Sequence, residues 1–301
     1  MLTLLIAIFV LVYLAIALEH PLKINKSATA LLGAGLLWTI YAVASGDAAK
    51  VGADLNESLM GTAQIVFFLM GAMTIVEVVD AHNGFEVITS RIKTQKLSTL
   101  MWMVGFVSFF LSAILDNLTT TIVMVSLMKK LLDQRDDRLF FAGIIVIAAN
   151  AGGAWTPIGD VTTTMLWIGG QITTVQIMKG LFIPSMLNLL VPLGVTALLL
   201  GNKPVTAPQR NADEEPFYTS PFERNLMFFM GLGMLVAVPL FKTLTGLPPF
   251  LGILFGLGIV WLVGDLVHRK TEELRKQRLT LARALTRIDM SSVVFFIGIL
   301  L

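Results

Sequence analysis

Apolar residues in this chain come in long unbroken windows rather than in the alternation of a half-buried strand. Such windows cover residues 2–18, 28–44, 60–79, 97–115, 181–200, 226–244 and 247–262. Each reaches or approaches the roughly 17–25 residues that a helix needs to cross hydrocarbon. Backbone that passes through lipid must satisfy its own hydrogen bonds, so the pattern predicts an all-α, polytopic membrane protein. The first window lacks a basic start, and Glu19-His20-Pro21 is a poor small-residue cleavage site. It therefore reads as a retained span rather than a signal peptide.

Composition agrees with a lipid solvent. Apolar residues make up 55% of the chain, charged residues only 14%, and mean hydropathy is +0.80. A water-soluble domain is excluded on these values. There is no cysteine, which removes disulfides and thiolate metal sites. The formal charge of +2 is small and its basic residues lie in short loops, so nucleic acid is not an implied partner.

Those loops sort by charge. Of the 22 Lys and Arg residues, 19 fall in one set, from Lys23 and Lys26 through Arg91, Lys129, Arg138 and Lys203 to the cluster ending at Arg287. Lys50, Lys179 and Lys242 fall at the opposite ends of spans. Basic short loops mark the cytoplasmic side, which places the N-terminus outside. The segment 97–128 has basic clusters on both flanks and must return to the face it entered from, as two crossings or as a re-entrant hairpin. Its second limb, 118–128, has only about 11 residues, three of them threonines, which favours the hairpin. The segment 139–178 must cross outward, yet glycines, a proline and an aspartate interrupt it at residues 150–160. This predicts a broken helix with limbs at 139–149 and 161–178.

LLGAGLLW (31–38) is echoed by LFGLGIVW (254–261), and IVFFLMG (65–71) by VVFFIG (293–298). Either match alone is compatible with chance, but the loop charges give the paired spans opposite directions. Inverted repeats of this kind recur in secondary transporters. The expected organisation is a first repeat at 1–202, a cytoplasmic linker at 203–224, and a second inverted repeat beginning at 225 and continuing to 301. The second copy stops in its third span, so the chain is expected to be the front part of a longer transporter.

Two motifs carry the chemistry. DNLTTT (116–121) places a carboxylate at the hairpin turn, where a charge at membrane depth costs about 2.5–3.5 kcal/mol on insertion scales. A small cation or a proton offsets that cost. Asn117 and the hydroxyls of Thr119, Thr120 and Thr121 add neutral oxygens that suit a hard cation. NAGGAWTPIGD (150–160) offers glycines that free carbonyls, a helix-stopping proline and a second carboxylate, Asp160. Helix N-capping by Asp116 and Asp160 is the structural alternative. Glu77 and Asp80 read as solvated span ends, with Glu77 an ion-pathway alternative. His20, His82 and His268 read as solvated loop residues, with pH sensing as the alternative. Residues 268–289 read as an amphipathic helix resting on anionic lipid.

With SAILDNLTTTIVMVSL (112–127) and NAGGAWTPIGDVTTTMLW (150–167) in view, the chain resembles the NhaD-type sodium/proton antiporters. Their wider superfamily also contains dicarboxylate and citrate carriers and arsenite permeases. The resemblance implies two inverted repeats, each with a hairpin and a broken helix, a homodimer, and an elevator-like motion. It implies a first cation site at Asp116, Asn117, Thr119 and Thr120, completed by Asn150, Gly152, Gly153, Thr156 and Asp160. Carboxylate-carrying relatives have a Ser-Asn-Thr signature at the hairpin tip. Asp116-Asn117 stands here instead, which argues for cation exchange.

The expected function is antiport of sodium, or lithium, against protons across a bacterial inner membrane. It calls for no cofactor beyond the transported ions. The alternative is a sodium-coupled dicarboxylate or anion carrier on the same scaffold. A third class, an intramembrane hydrolase using Asp116 and Asp160 as an acid pair, has no nucleophile motif behind it.

Overall fold

A computed structural model describes residues 2–92, 94–201, 203–206, 219–270 and 279–301. The helices in chain order are α1 (Leu2–Ala17), α2 (Glu19–Leu22), α3 (Lys26–Ser45), α4 (Ala48–Ala81), α5 (Glu86–Thr89), α6 (Leu97–Ser112) and α7 (Asn117–Leu131). They continue with α8 (Arg135–Ala154), α9 (Val161–Ile168), α10 (Thr174–Leu200), α11 (Pro221–Thr245), α12 (Pro249–Val267), α13 (Leu281–Leu285) and α14 (Met290–Leu300). No strand occurs among the described residues. Among the described residues six helices, α3, α4, α8, α10, α11 and α12, are long and apolar enough to cross a membrane. The chain is an integral, multi-pass, all-α membrane protein.

The chain divides into two compact units. One takes the described residues of Met1–Met70 together with Arg287–Leu301. In it α3 packs on α14 and on α1. The α3–α14 seam is tied at both ends: Ser27 Oγ donates to the Ser291 carbonyl at 2.9 Å, and Trp38 Nε1 donates to the Leu301 carbonyl at 2.7 Å. Asp289 caps α14 by accepting from the Ser291 and Ser292 amides. The lipid-like exposure of Leu4, Phe9, Leu11 and Leu32 on α1 and α3 fits helices whose outer faces meet hydrocarbon.

The other unit is Gly71–Thr286 and carries both interrupted segments. Here α6 and α7 pack on one another, and both pack on α8, while α10 packs on α6 and α8. Helices α6 and α7 have 16 and 15 residues, about 24 and 22 Å long, short of the ~30 Å hydrocarbon core. A turn at 113–116 joins them. Helices α11 and α12 pack on each other around Met227, Val78 and Val260, with Leu281 and Ala284 of α13 closing the cluster.

The interrupted crossing differs from the sequence expectation in two respects. Helix α8 runs through Asn150, Gly152 and Gly153 and ends at Ala154, so the break spans 155–160 rather than 150–160. Glycines in mid-helix cost only about 1 kcal/mol each, and here close packing outweighs that cost. The second limb also ends early, at Ile168. The amides of Gly169 and Gly170 fold back on the Met165 and Trp167 carbonyls, Gly170 takes φ +71°, and α10 starts afresh at the Thr173 capping box. Left-handed backbone of that kind stops a helix and suits glycine.

The linker expected at 203–224 is described only at 203–206 and 219–224. It is anchored where Lys203 Nζ meets Asp137 Oδ1 at 2.8 Å and the Val205 amide donates to the Gln95 carbonyl. Its residues 207–218 lie outside the described residues, as does the middle of the expected amphipathic helix, residues 271–278. The described ends of that segment form a single 3-10 turn at His268–Lys270 and the short helix α13.

Candidate functional site

Both helix breaks are built by the same local device. At the first, the chain leaves α6, turns, and re-enters helix at Asn117 with Asp116 as N-cap: Asp116 Oδ1 accepts from the Thr119 amide at 2.8 Å. Its Oδ2 accepts from the Thr119 hydroxyl at 2.6 Å. At the second, Asp160 caps α9 through Oδ1, which accepts from the Thr162 amide at 2.8 Å. Each carboxylate therefore sits at the positive end of a helix dipole, where negative charge is favoured. The capping geometry named as the structural alternative is thus present at both positions.

Asn117 joins the breaks. Its Nδ2 donates to Asp160 Oδ2 at 2.7 Å and to Asn150 Oδ1 at 3.0 Å. Asn150 is itself aimed by its Nδ2, which donates to the Val146 carbonyl one turn back. Three of the expected residues, from α7, the end of α8 and the start of α9, thus converge on one hydrogen-bonded cluster, with Asp116 adjacent along the chain.

The remaining expected residues support that cluster. Thr156 is buried, donates through Oγ1 to the Ala113 carbonyl at 2.6 Å, and accepts from the Gly159 amide at 3.0 Å. One hydroxyl therefore pins the second break onto the first. Ser112 Oγ does the same from the other side, donating to the Ala149 carbonyl at 2.6 Å. Gly152 lies so close to α6 that a Cβ there would overlap the Phe109 carbonyl oxygen, and a Cβ on Gly153 would meet the Gly159 carbonyl. These two glycines let three stretches of backbone share one small space. Thr120 is fully buried in α7, and its hydroxyl has no hydrogen-bond partner among the described residues.

Asp116 and Asp160 are both partly buried. Among the described residues neither forms an ion pair. The Asn117–Asn150–Asp160 cluster thus offers hard oxygens from one carboxylate and two amides, while the Asp116 carboxylate faces Thr119 at the adjoining cap. Such a donor set suits a small hard cation.

The outlying residues fare differently. His20 and Asp80 are exposed, as expected, and Glu77 is half-buried. His82 and His268 are not solvated. They are 0% and 3% exposed, and their rings lie 5.1 Å apart. The ends of α4 and α12 converge, so residues that read as loop termini become interior. His82 Nδ1 lies 2.6 Å from the Val78 carbonyl. Lys242, read from sequence as a span flank, turns out to touch the broken crossing: its Nζ donates to the Trp167 carbonyl at 2.8 Å and stands 4.4 Å from the Trp167 ring centre. No sequence signal links positions so far apart.

Comparison with known proteins places this architecture. The family model described as citrate transporter (CitMHS) matches residues 9–301. Sodium/proton antiporter 1 of Arabidopsis thaliana is 50% identical over 294 residues, covering 96% of this chain and 50% of that protein. Sodium/proton antiporter 2 of the same plant is 46% identical over 292 residues, covering 96% of this chain and 68% of that protein. The Na(+)/H(+) antiporter NhaD of Vibrio cholerae is 30% identical over 286 residues, 93% of this chain and 56% of that protein. The chain spans about half to two thirds of the length of these relatives. With its family model matched over nearly all its length, and with relatives that include proteins named sodium/proton antiporters, the chain belongs to the citrate transporter family.

Proposed function

We propose that the protein exchanges sodium or lithium ions for protons, the two cargoes competing for Asp116 and Asp160. The observation that carries this reading is the Asn117 bridge from one helix break to the carboxylate of the other. It sets the carboxylate of Asp160 against the residue that follows Asp116, at interrupted backbone where a neutralising cation or proton offsets the cost of burying charge. Asp116, Asn117, Thr119, Asn150 and Asp160 supply oxygens from side chains. Gly152, Gly153 and Thr156 hold the two breaks together, and the buried, unpartnered hydroxyl of Thr120 adds a further oxygen one turn into α7. With sodium bound the carboxylates are charged; with protons bound they are neutral, and the site holds one cargo or the other. Exchange then follows from alternating exposure of this cluster to the two sides.

The α6–α7 pair serves as a hairpin dipping in from the cytoplasm, which its two short limbs support. Residues 1–202 form the first repeat and 225–301 begin an inverted second, supported by the paired LLGAGLLW and LFGLGIVW spans. The working unit is a homodimer in lipid. The membrane is a bacterial inner membrane, supported by the NhaD relatives; the higher identity of the plant relatives favours a plant membrane as the second reading.

Everted vesicles containing the full-length protein and a pH-sensitive dye test the proposal. Sodium or lithium is expected to raise the pH of an acidified lumen, and potassium is not. The family name, citrate transporter, supplies the competing reading. Citrate or succinate uptake driven by sodium, without the pH response, would overturn antiport in its favour.

A further inference from the structure

The half-helix α9 carries the carboxylate of Asp160 at one end and a hydrogen bond to another helix at the other. At its C-terminal turn the Trp167 carbonyl accepts from Lys242 Nζ of α11 at 2.8 Å, and the same ammonium stands over the Trp167 ring at 4.4 Å from its centre. Trp167 is 2% exposed and Lys242 is half-buried, so the ammonium reaches the buried carbonyl from the edge of the packed interior. Carbonyls in the last turn of a helix lack intrahelical partners and sit at the negative end of its dipole, where a cation is favoured. The aromatic face adds a second attraction for the same charge.

The rest of the neighbourhood makes this link distinctive. Earlier along α11, Leu232 faces α6 across an apolar cavity of about 310 Å³, also lined by Phe106, Phe110, Leu111 and Ile114. Apolar contact of that sort is non-directional and does not fix the rotation or height of a helix. A charge-assisted hydrogen bond does. Because α9 is separated from α8 by 155–160 and from α10 by the Gly169-Gly170 turn, neither neighbour extends it as continuous helix. Its orientation depends on what holds its two ends.

We propose that Lys242 is a positioning residue of the ion site: by holding the carbonyl end of α9 it sets where the Asp160 end stands. This rests on the antiport reading of the Asp160 cluster. The test measures initial rates of exchange against sodium concentration in everted vesicles carrying the full-length protein, wild type, Lys242→Met and Lys242→Arg, with the amount of protein in the membrane measured alongside. Lys242→Met keeps the stem but removes the charge and the donor. It is expected to raise the half-saturating sodium concentration about three- to tenfold at unchanged maximal rate per protein, and Lys242→Arg to restore it to within about twofold. Should Lys242→Met fail to reach the membrane, Lys242→Gln takes its place with the same expectation. Half-saturation unchanged in an active protein, or activity lost only in proportion to protein, overturns the positioning role and leaves antiport standing. Wild-type vesicles that show no sodium-dependent pH change overturn both.

Discussion

Asn117 Nδ2 and Asp160 Oδ2 lie 2.7 Å apart across 43 residues of sequence. A neutral amide is thereby the donor that orients an acid at the second helix break. Removing it leaves the carboxylate without that partner, with the breaks still joined by the Thr156 and Ser112 hydroxyls. Asn117→Ala is expected to lower sodium-dependent exchange about ten- to hundredfold, the range seen when residues that orient a ligand are lost. Initial rates in everted vesicles check it, and full activity in the variant would remove Asn117 from the site.

Asp116→Asn and Asp160→Asn separate two roles of the same atoms. Asparagine caps helices about as well as aspartate, so both helix starts should survive. The charge does not survive, and each variant is expected to abolish exchange while the protein reaches the membrane in normal amount. Exchange persisting in both variants would mean that neither carboxylate binds cargo.

Thr156 ties the breaks through backbone on both sides of it. Thr156→Val keeps the shape and leaves the Gly159 amide without a partner, a loss of about 1–3 kcal/mol. The purified variant should melt at lower temperature and exchange slowly, and Thr156→Ser should recover both. If Thr156→Val melts like wild type, the hydroxyl does not hold the breaks.

Gly152→Ala drives a methyl into the Phe109 carbonyl. Backbone cannot rotate aside as a side chain can, so the expected cost is about 1–3 kcal/mol, with α6 pushed from α8. A thermal melt in detergent reads the cost, and an unshifted midpoint would show that the two helices part freely.

Competition between cargoes has a pH signature. Protons occupy the carboxylates more as pH falls, so the half-saturating sodium concentration should rise while the maximal rate at saturating sodium is kept. Rates measured across sodium concentrations at several pH values decide this. A maximal rate that falls with pH at constant half-saturation would place the proton somewhere other than the sodium site.

The two breaks are legible in the sequence because Asp, Gly and Pro interrupt windows that are otherwise continuously apolar. Which residues meet across them is not, because Asn117, Asn150 and Asp160 are brought together only by the packing of α7 on α8. The extent of the second break was overdrawn for a physical reason. Gly152 and Gly153 are read from sequence as helix breakers, whereas in the fold they remain helical to let backbones touch. His82 and His268 show the same limit: a position just past a span is a loop terminus by hydropathy, and its burial depends on which other span ends beside it.

The turn at Gly169-Gly170 makes α9 a rod of eight residues, about 12 Å long, free of continuous helix at both ends. Geometry then works as a lever. Tilting such a rod by about ten degrees about its Trp167 end carries the opposite tip through about 2 Å, while no hydrogen bond inside the rod has to open. Since a shift of about 1 Å is enough to spoil a binding geometry, a small rotation at the Trp167 end suffices to carry the Asp160 carboxylate beyond that tolerance.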